Sequence, residues 1–138
     1  MSLSIETSGP RRLSTPRLEI HPSRIAENAR VILALCREKG VEVSCVTKVV
    51  HAHPAVVAAL REAGAESLAD SRIEHLRRLR EQGFTDPLML LRLPTPSRAA
   101  EVVETADLSL VSELTTMRAL GAATVAANLP PHGGILMV

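Results

Sequence analysis

The sequence predicts an α/β fold built on a parallel sheet, and three observations predict it. Short apolar runs alternate with segments whose apolar residues recur at helical spacing. Those runs are apolar throughout rather than at every second residue, as expected of strands covered on both faces. Glycines stand where the helical periodicity stops, at Gly40, Gly64 and Gly83. A strand–helix–strand succession makes βαβ units, whose neighbouring strands run parallel.

The elements follow in order. Arg17–Ile20 reads as a short extended run. Pro22–Lys39 reads as a helix: Pro22 suits a first turn, and Ile25, Ala29, Ile32, Leu33 and Cys36 share a face. Val41–Thr47 is an apolar strand, Pro54–Ala63 a helix, Glu66–Ala69 a short strand and Ser71–Gln82 a helix. Pro87–Leu91, Asp107–Val111 and Ile135–Val138 are further strands. Helices over Ser97–Thr105 and Glu113–Ala127 separate them, and the Pro- and Gly-rich stretch 128–134 reads as a loop. Residues 1–16 mix Ser, Thr, Arg, Gly and Pro and are expected to be a disordered leader; the folded domain is expected to span 17–138. An open doubly wound sheet and a (β/α)₈ barrel both fit this pattern, and periodicity does not separate them. No G-x-G-x-x-G follows the first strand and no P-loop occurs, so nucleotide-binding open sheets lose support.

Composition removes other classes. Hydrophobic residues make up 46% and charged residues 22%, enough apolar material for a core and too little charge for a disordered chain. A net charge of +1, with one Phe and no Trp or Tyr, gives neither the basic footprint nor the stacking platforms of a nucleic-acid binder. No apolar run approaches the roughly 20 residues that span a bilayer. Cys36 and Cys45 have no zinc-ligand spacing and read as small core residues in a reducing compartment, which predicts a cytoplasmic location.

In parallel α/β folds reactive groups collect at the C-terminal ends of strands. Those positions hold Thr47 and Lys48, then Asp70, Ser71 and Arg72, then Arg92, then Ser112 and Glu113. Lys48 stands out, because the chain has 14 Arg and two Lys, and Lys39 closes a helix where a cation complements the dipole. Apolar neighbours on both sides of Lys48 favour the neutral amine that a Schiff base requires, which Arg cannot supply. A strand-end ion pair is the competing reading. Asp70 or Ser71 fits a helix cap as well as a site role, and Arg92 fits either an anion or an ion pair. His51 and His53 lack an accompanying carboxylate or Cys at ligand spacing, so no metal is expected. Arg77, Arg78 and Arg80 read as a solvated helix face.

The stretches Val46-Thr47-Lys48-Val49-Val50-His51-Ala52-His53-Pro54, Leu68-Ala69-Asp70-Ser71-Arg72-Ile73-Glu74 and Met89-Leu90-Leu91-Arg92-Leu93-Pro94 resemble the alanine/ornithine racemase group of pyridoxal-phosphate (PLP) enzymes. Ser109-Leu110-Val111-Ser112-Glu113 and Ile135–Val138 fit the same pattern, so the resemblance runs from about Pro16 onward. It departs from alanine racemase proper, whose lysine segment has the form V-K-A-N-A-Y-G-H-G, and His21-Pro22 replaces the usual acidic residue after the first run.

The resemblance implies the N-terminal part of a PLP-binding (β/α)₈ TIM-type barrel, incomplete in this chain. It implies an amino-acid racemase, with PLP as a Schiff base on Lys48 and α-proton abstraction and return. It implies His51, Asp70, Ser71, Arg92 and Ser112 around the cofactor, Arg72 toward the substrate, a small amino-acid substrate and a possible homodimer. A barrel takes about 250 residues, and an apolar strand at the last residues leaves the barrel unclosed. The chain alone is therefore expected to be weakly active or inactive, with the second base and the phosphate site in later segments. The alternatives are an inactive fragment and a PLP-carrying homeostasis protein of the related single-barrel type. Ala69-Asp70-Ser71-Arg72, in place of that type's Gly-Glu-Asn-Tyr-like segment, argues against the latter.

Overall fold

A computed structural model describes residues 18–138; the leader and Arg17 lie outside the described residues. Five helices, α1 (Pro22–Glu38), α2 (Pro54–Glu62), α3 (Ile73–Glu81), α4 (Ala99–Thr105) and α5 (Leu114–Ala126), alternate with five strands. The strands are β1 (Cys45–Val46), β2 (Leu68–Asp70), β3 (Leu88–Leu90), β4 (Leu108–Val111) and β5 (Gly133–Leu136). Pro at the first turn opens α1 and α2, where its fixed φ costs nothing and no N–H is lost from the ladder. Gly40, Gly64 and Gly83 follow α1, α2 and α3 with φ of 67°, 89° and 78°, the left-handed conformation that ends a helix most readily at glycine.

All pairings are parallel and the sheet order is β1-β2-β3-β4-β5. That order separates the two architectures the sequence left open. A doubly wound sheet reverses direction at a switch point and carries helices on both faces. Here each strand is added on the same side of the last, and right-handed crossovers then put every helix on one face. Neighbouring helices accordingly touch one another, α1 with α2, α3 with α4 and α4 with α5. This is the singly wound succession of a (β/α)₈ barrel, seen over five strands.

The core lies between sheet and helices. Leu68, Leu88, Leu90 and Val111 meet Val56, Leu60, Leu76, Leu79, Val102 and Leu120 there, with Phe84 closing one end under the Arg61 guanidinium. The register places Val46, Ala69, Met89 and Leu108 in one row on the opposite face.

Several boundaries differ from those expected. Leu18–Ile20 belong to no strand. The expected strand over Val41–Thr47 contracts to Cys45–Val46, because β2 is three residues long and offers no partner upstream of Ser67. The third helix starts at Ile73 rather than Ser71, since the Asp70 carboxylate takes the Arg72 N–H and turns the chain first. A 3-10 turn over Pro96–Arg98 precedes α4. The last strand is Gly133–Leu136 rather than Ile135–Val138, so the two glycines belong to the sheet. Cys36 and Cys45 are half-buried rather than buried, and desolvation raises the Cys45 thiol pKa.

Candidate active site

The C-terminal strand ends form one rim. β1 runs into Thr47, then a 3-10 turn over Lys48–Val50, then His51–Ala52 and the start of α2. Lys48 is exposed rather than enclosed by its apolar neighbours, since Val46 and Val49 are exposed as well. It has no hydrogen-bond or ion-pair partner among the described residues, which removes the strand-end ion pair as its explanation.

The backbone around this lysine is tightly held. Thr47 is fully buried, and its hydroxyl donates to Asp70 Oδ2 at 2.9 Å. The Thr47 carbonyl accepts from Val50 N and Ala52 N. Asp70, also fully buried, accepts from the Arg72 N–H on Oδ1 at 3.0 Å and lies 2.9 Å from His75 Nδ1. Every oxygen of this carboxylate is thus used. A buried carboxylate stripped of such partners would be costly, so the arrangement is self-consistent only when complete.

His51 and Ala52 both adopt left-handed φ, 53° and 52°. For residues with a Cβ this costs about 1–2 kcal/mol each, so something must hold them. The His51 ring stacks on His75 with centroids 5.0 Å apart and planes at 29°. Arg78 Nη1 donates to the His51 carbonyl at 3.0 Å, and Gln82 Nε2 donates to the Ala52 carbonyl at 3.3 Å. His75, Arg78 and Gln82 are three and four residues apart, so one face of α3 and its first residue beyond grip the turn. His53 Nδ1 then accepts from Ala55 N and starts α2.

A second group lies further along the rim. Ser71, Arg72 and Arg92 line a cavity of about 360 Å³ together with Leu90, Pro94 and Arg98. Arg72 and Arg92 are exposed and have no ion-pair partner among the described residues, so the ion pair weighed for Arg92 is not formed. Arg98, by contrast, is held between Glu101 and Glu74 at 2.7 and 2.9 Å. Glu74's own backbone N–H and the Arg98 guanidinium keep its carboxyl below the usual range, and Arg98 does the same for Glu101. Ser112 is exposed just after β4, and its side chain has no hydrogen-bond partner among the described residues. A separate cavity of about 930 Å³ opens at the other end of the strands, lined by Ser44, Ser67, Pro87 and Leu108, and holds none of them.

Thr47 stood among the strand-end positions in the sequence, but His75, Arg78 and Gln82 were not legible beside it. The spacing of the last three was visible, but that helix face reads as solvated until the turn it grips is placed beside it. Arg77 and Arg78 are exposed as expected of a solvated face, Arg80 is half-buried, and all three are engaged. Arg77 pairs with Glu101, Arg78 holds His51, and Arg80 donates to three carbonyls and Asp107.

Residues 20–133 match the family model described as the alanine racemase N-terminal domain. The chain belongs to the alanine racemase N-terminal domain family. Among characterised relatives, a lysine racemase from Thermotoga maritima is 40% identical over 98 residues, covering 71% of this chain and 28% of that protein. An ornithine racemase from Acetoanaerobium sticklandii is 34% identical over 123 residues, covering 89% of this chain and 34% of that protein. The chain therefore spans about a third of the length of the relatives it matches. Among solved structures, PipY of Synechococcus elongatus PCC7942, determined with PLP bound, aligns at a TM-score of 0.62 and 22% identity. That alignment covers 75% of this chain and 50% of PipY, and it supports the family's fold.

Proposed function

We propose that this chain carries the cofactor lysine of a PLP-dependent racemase acting on basic amino acids, and that Lys48 is that lysine. The observation that carries this reading is a primary amine with no partner among the described residues, at the end of the first strand, on a turn whose backbone is pinned by buried bonds. Such an amine fits an aldehyde-bearing cofactor. The relatives named for lysine and ornithine racemisation support the basic substrate class. No helix of the described residues is long and apolar enough to cross a membrane.

PLP, when bound, supplies the electron sink that stabilises negative charge at the substrate Cα. Three residues of this chain would serve that chemistry. Lys48 Nζ would hold the cofactor, and as a free amine would take or return the α-proton on its face of the substrate. The guanidinium groups of Arg72 and Arg92, free of internal carboxylates, suit anionic oxygens of cofactor or substrate, where a planar fork can bind in bidentate fashion. Thr47 and Asp70 are buried and occupied, so they fix backbone and do not touch the reacting atoms.

The test is borohydride reduction of the purified chain with PLP, followed by peptide mapping. We expect a pyridoxyl group on Lys48 in marked preference to Lys39, and its loss in Lys48→Ala. Equal labelling of both lysines would sink the assignment.

A further inference from the structure

We propose that His75 and Arg78 on one face of α3 and Gln82 at its end, joined to Thr47 through buried Asp70, form a positioning device that sets the reach and orientation of Lys48. This rests on the reading of Lys48 as the cofactor lysine.

The argument is one of constraint on both sides of a single residue. Immediately before Lys48, the Thr47 hydroxyl is tied to Asp70 Oδ2 at 2.9 Å in a fully buried contact. Three residues after it, His51 is tied to the same carboxylate through the stacked His75 ring, whose Nδ1 lies 2.9 Å from Asp70 Oδ1. One buried carboxylate therefore fixes both ends of the segment that carries the amine. Between those ends the chain makes a 3-10 turn and enters two successive left-handed residues, a conformation that non-glycine residues leave unless held. Arg78 and Gln82 hold it by the carbonyls of those same two residues, at 3.0 and 3.3 Å. None of these side chains is needed simply to end β1 or begin α2. Thr47 N already completes its bond to the Ala69 carbonyl, and His53 caps α2 unaided. The extra bonds converge on the turn that presents Lys48. A rigid mount for an otherwise mobile, four-carbon side chain is what proximity catalysis requires, since a small misplacement of a reacting group is costly.

The test is the ratio of Lys48 to Lys39 pyridoxylation at limiting PLP, trapped with borohydride, in the full chain. Lys39, at the end of α1, serves as the internal reference for an unpositioned amine. Thr47→Val removes the hydroxyl and keeps the shape, His75→Phe keeps a ring and removes Nδ1, and Thr47→Ser restores the hydroxyl. Each is assayed under conditions where far-ultraviolet circular dichroism shows wild-type helicity. We expect Thr47→Val and His75→Phe to lower the ratio by about five-fold or more, with Thr47→Ser close to wild type. If Thr47→Val does not fold, the exposed Arg78→Met carries the same expectation. A folded Thr47→Val or Arg78→Met with the wild-type ratio overturns the inference, as does a Thr47→Ser that falls as far as Thr47→Val. A wild-type chain that does not prefer Lys48 overturns the underlying lysine assignment instead, so the two failures are told apart.

Discussion

Arg80 shows how much of this protein's local order rests on single side chains that look dispensable in sequence. Its Nε donates to the Thr105 carbonyl at 3.2 Å, and Nη1 donates to the carbonyls of Phe84 and Asp86 at 2.9 Å each. Nη2 reaches Asp107 Oδ2 at 2.6 Å, and that same oxygen accepts from Leu88 N at 2.7 Å. One guanidinium thus ties the end of α3 to the entries of β3 and β4. Arg80→Met keeps the aliphatic stem and removes every bond, and should destabilise by about 2 kcal/mol. Arg80→Lys, with a point charge in place of a fork, should recover little of it. Urea midpoints of the three proteins check this, and a Lys variant as stable as wild type would show that charge rather than geometry matters. The sequence presents Arg77, Arg78 and Arg80 as a charged run, and their acceptors are mostly backbone carbonyls outside α3. Carbonyls leave no trace in residue identity, so this class of contact was illegible. Lys48 stands out in the sequence for the opposite reason: it is a rare residue type at a strand end.

At the scale of elements, the junction of β4 and β5 contains the largest misreading and a pH-sensitive contact. Residues 128–134 read as loop because Pro and Gly dominate, yet Gly133 and Gly134 pair with Leu108 and Ser109. A Cβ on Gly133 would lie 3.1 Å from the Leu108 side chain, so a larger residue there would have to push that side chain aside. His132, just before, has Nδ1 at 3.0 Å from the Ala106 carbonyl and Nε2 at 2.9 Å from Ser109 Oγ. The carbonyl can only accept, so Nδ1 carries a proton, and in the neutral imidazole the Ser109 hydroxyl donates to Nε2. Burial lowers the His132 pKa, against smaller opposing effects of the Ala106 carbonyl and Asp107. A base whose pKa is depressed by folding binds protons more readily in the unfolded chain. Its contribution is therefore complete above the unfolded value near 6.5 and is lost as pH falls below it. Between pH 7 and pH 5 the wild type should lose more stability than His132→Gln does. Parallel pH dependences for the two proteins, measured by chemical denaturation, would remove His132 from the account. Helices α1 to α5 were legible to within two residues at most of their ends, because apolar periodicity and terminal Pro or Gly are written locally. Strand lengths were not, since a strand extends only as far as its neighbour does, and β2 limits β1.

The whole molecule is a singly wound layer of helices on one face of a five-stranded parallel sheet, and the other sheet face has no layer over it among the described residues. That face is apolar: Val46 is 49% and Ile135 40% exposed, with Met89, Leu108 and Leu110 half-buried between them. The alternation of elements fixed the α/β class from sequence alone, whereas the choice of barrel over open sheet needed either the racemase resemblance or the observed strand order. Periodicity could not supply it, because a strand buried on both faces reads the same in both architectures. An apolar face of this kind, bounded by the paired-on-one-side strands β1 and β5, should drive association. Sedimentation velocity over a range of concentrations should show the chain moving to larger species as concentration rises. Lys placed on this face, as Val46→Lys with Ile135→Lys, should shift that transition to higher concentration, because an ammonium stacked against a second apolar layer is desolvated without a partner. If the double variant associates as readily as wild type, the face is not the contact. Pairing through the open backbone groups of β1 and β5 would then be the route, and proline placed in either edge strand should suppress it instead.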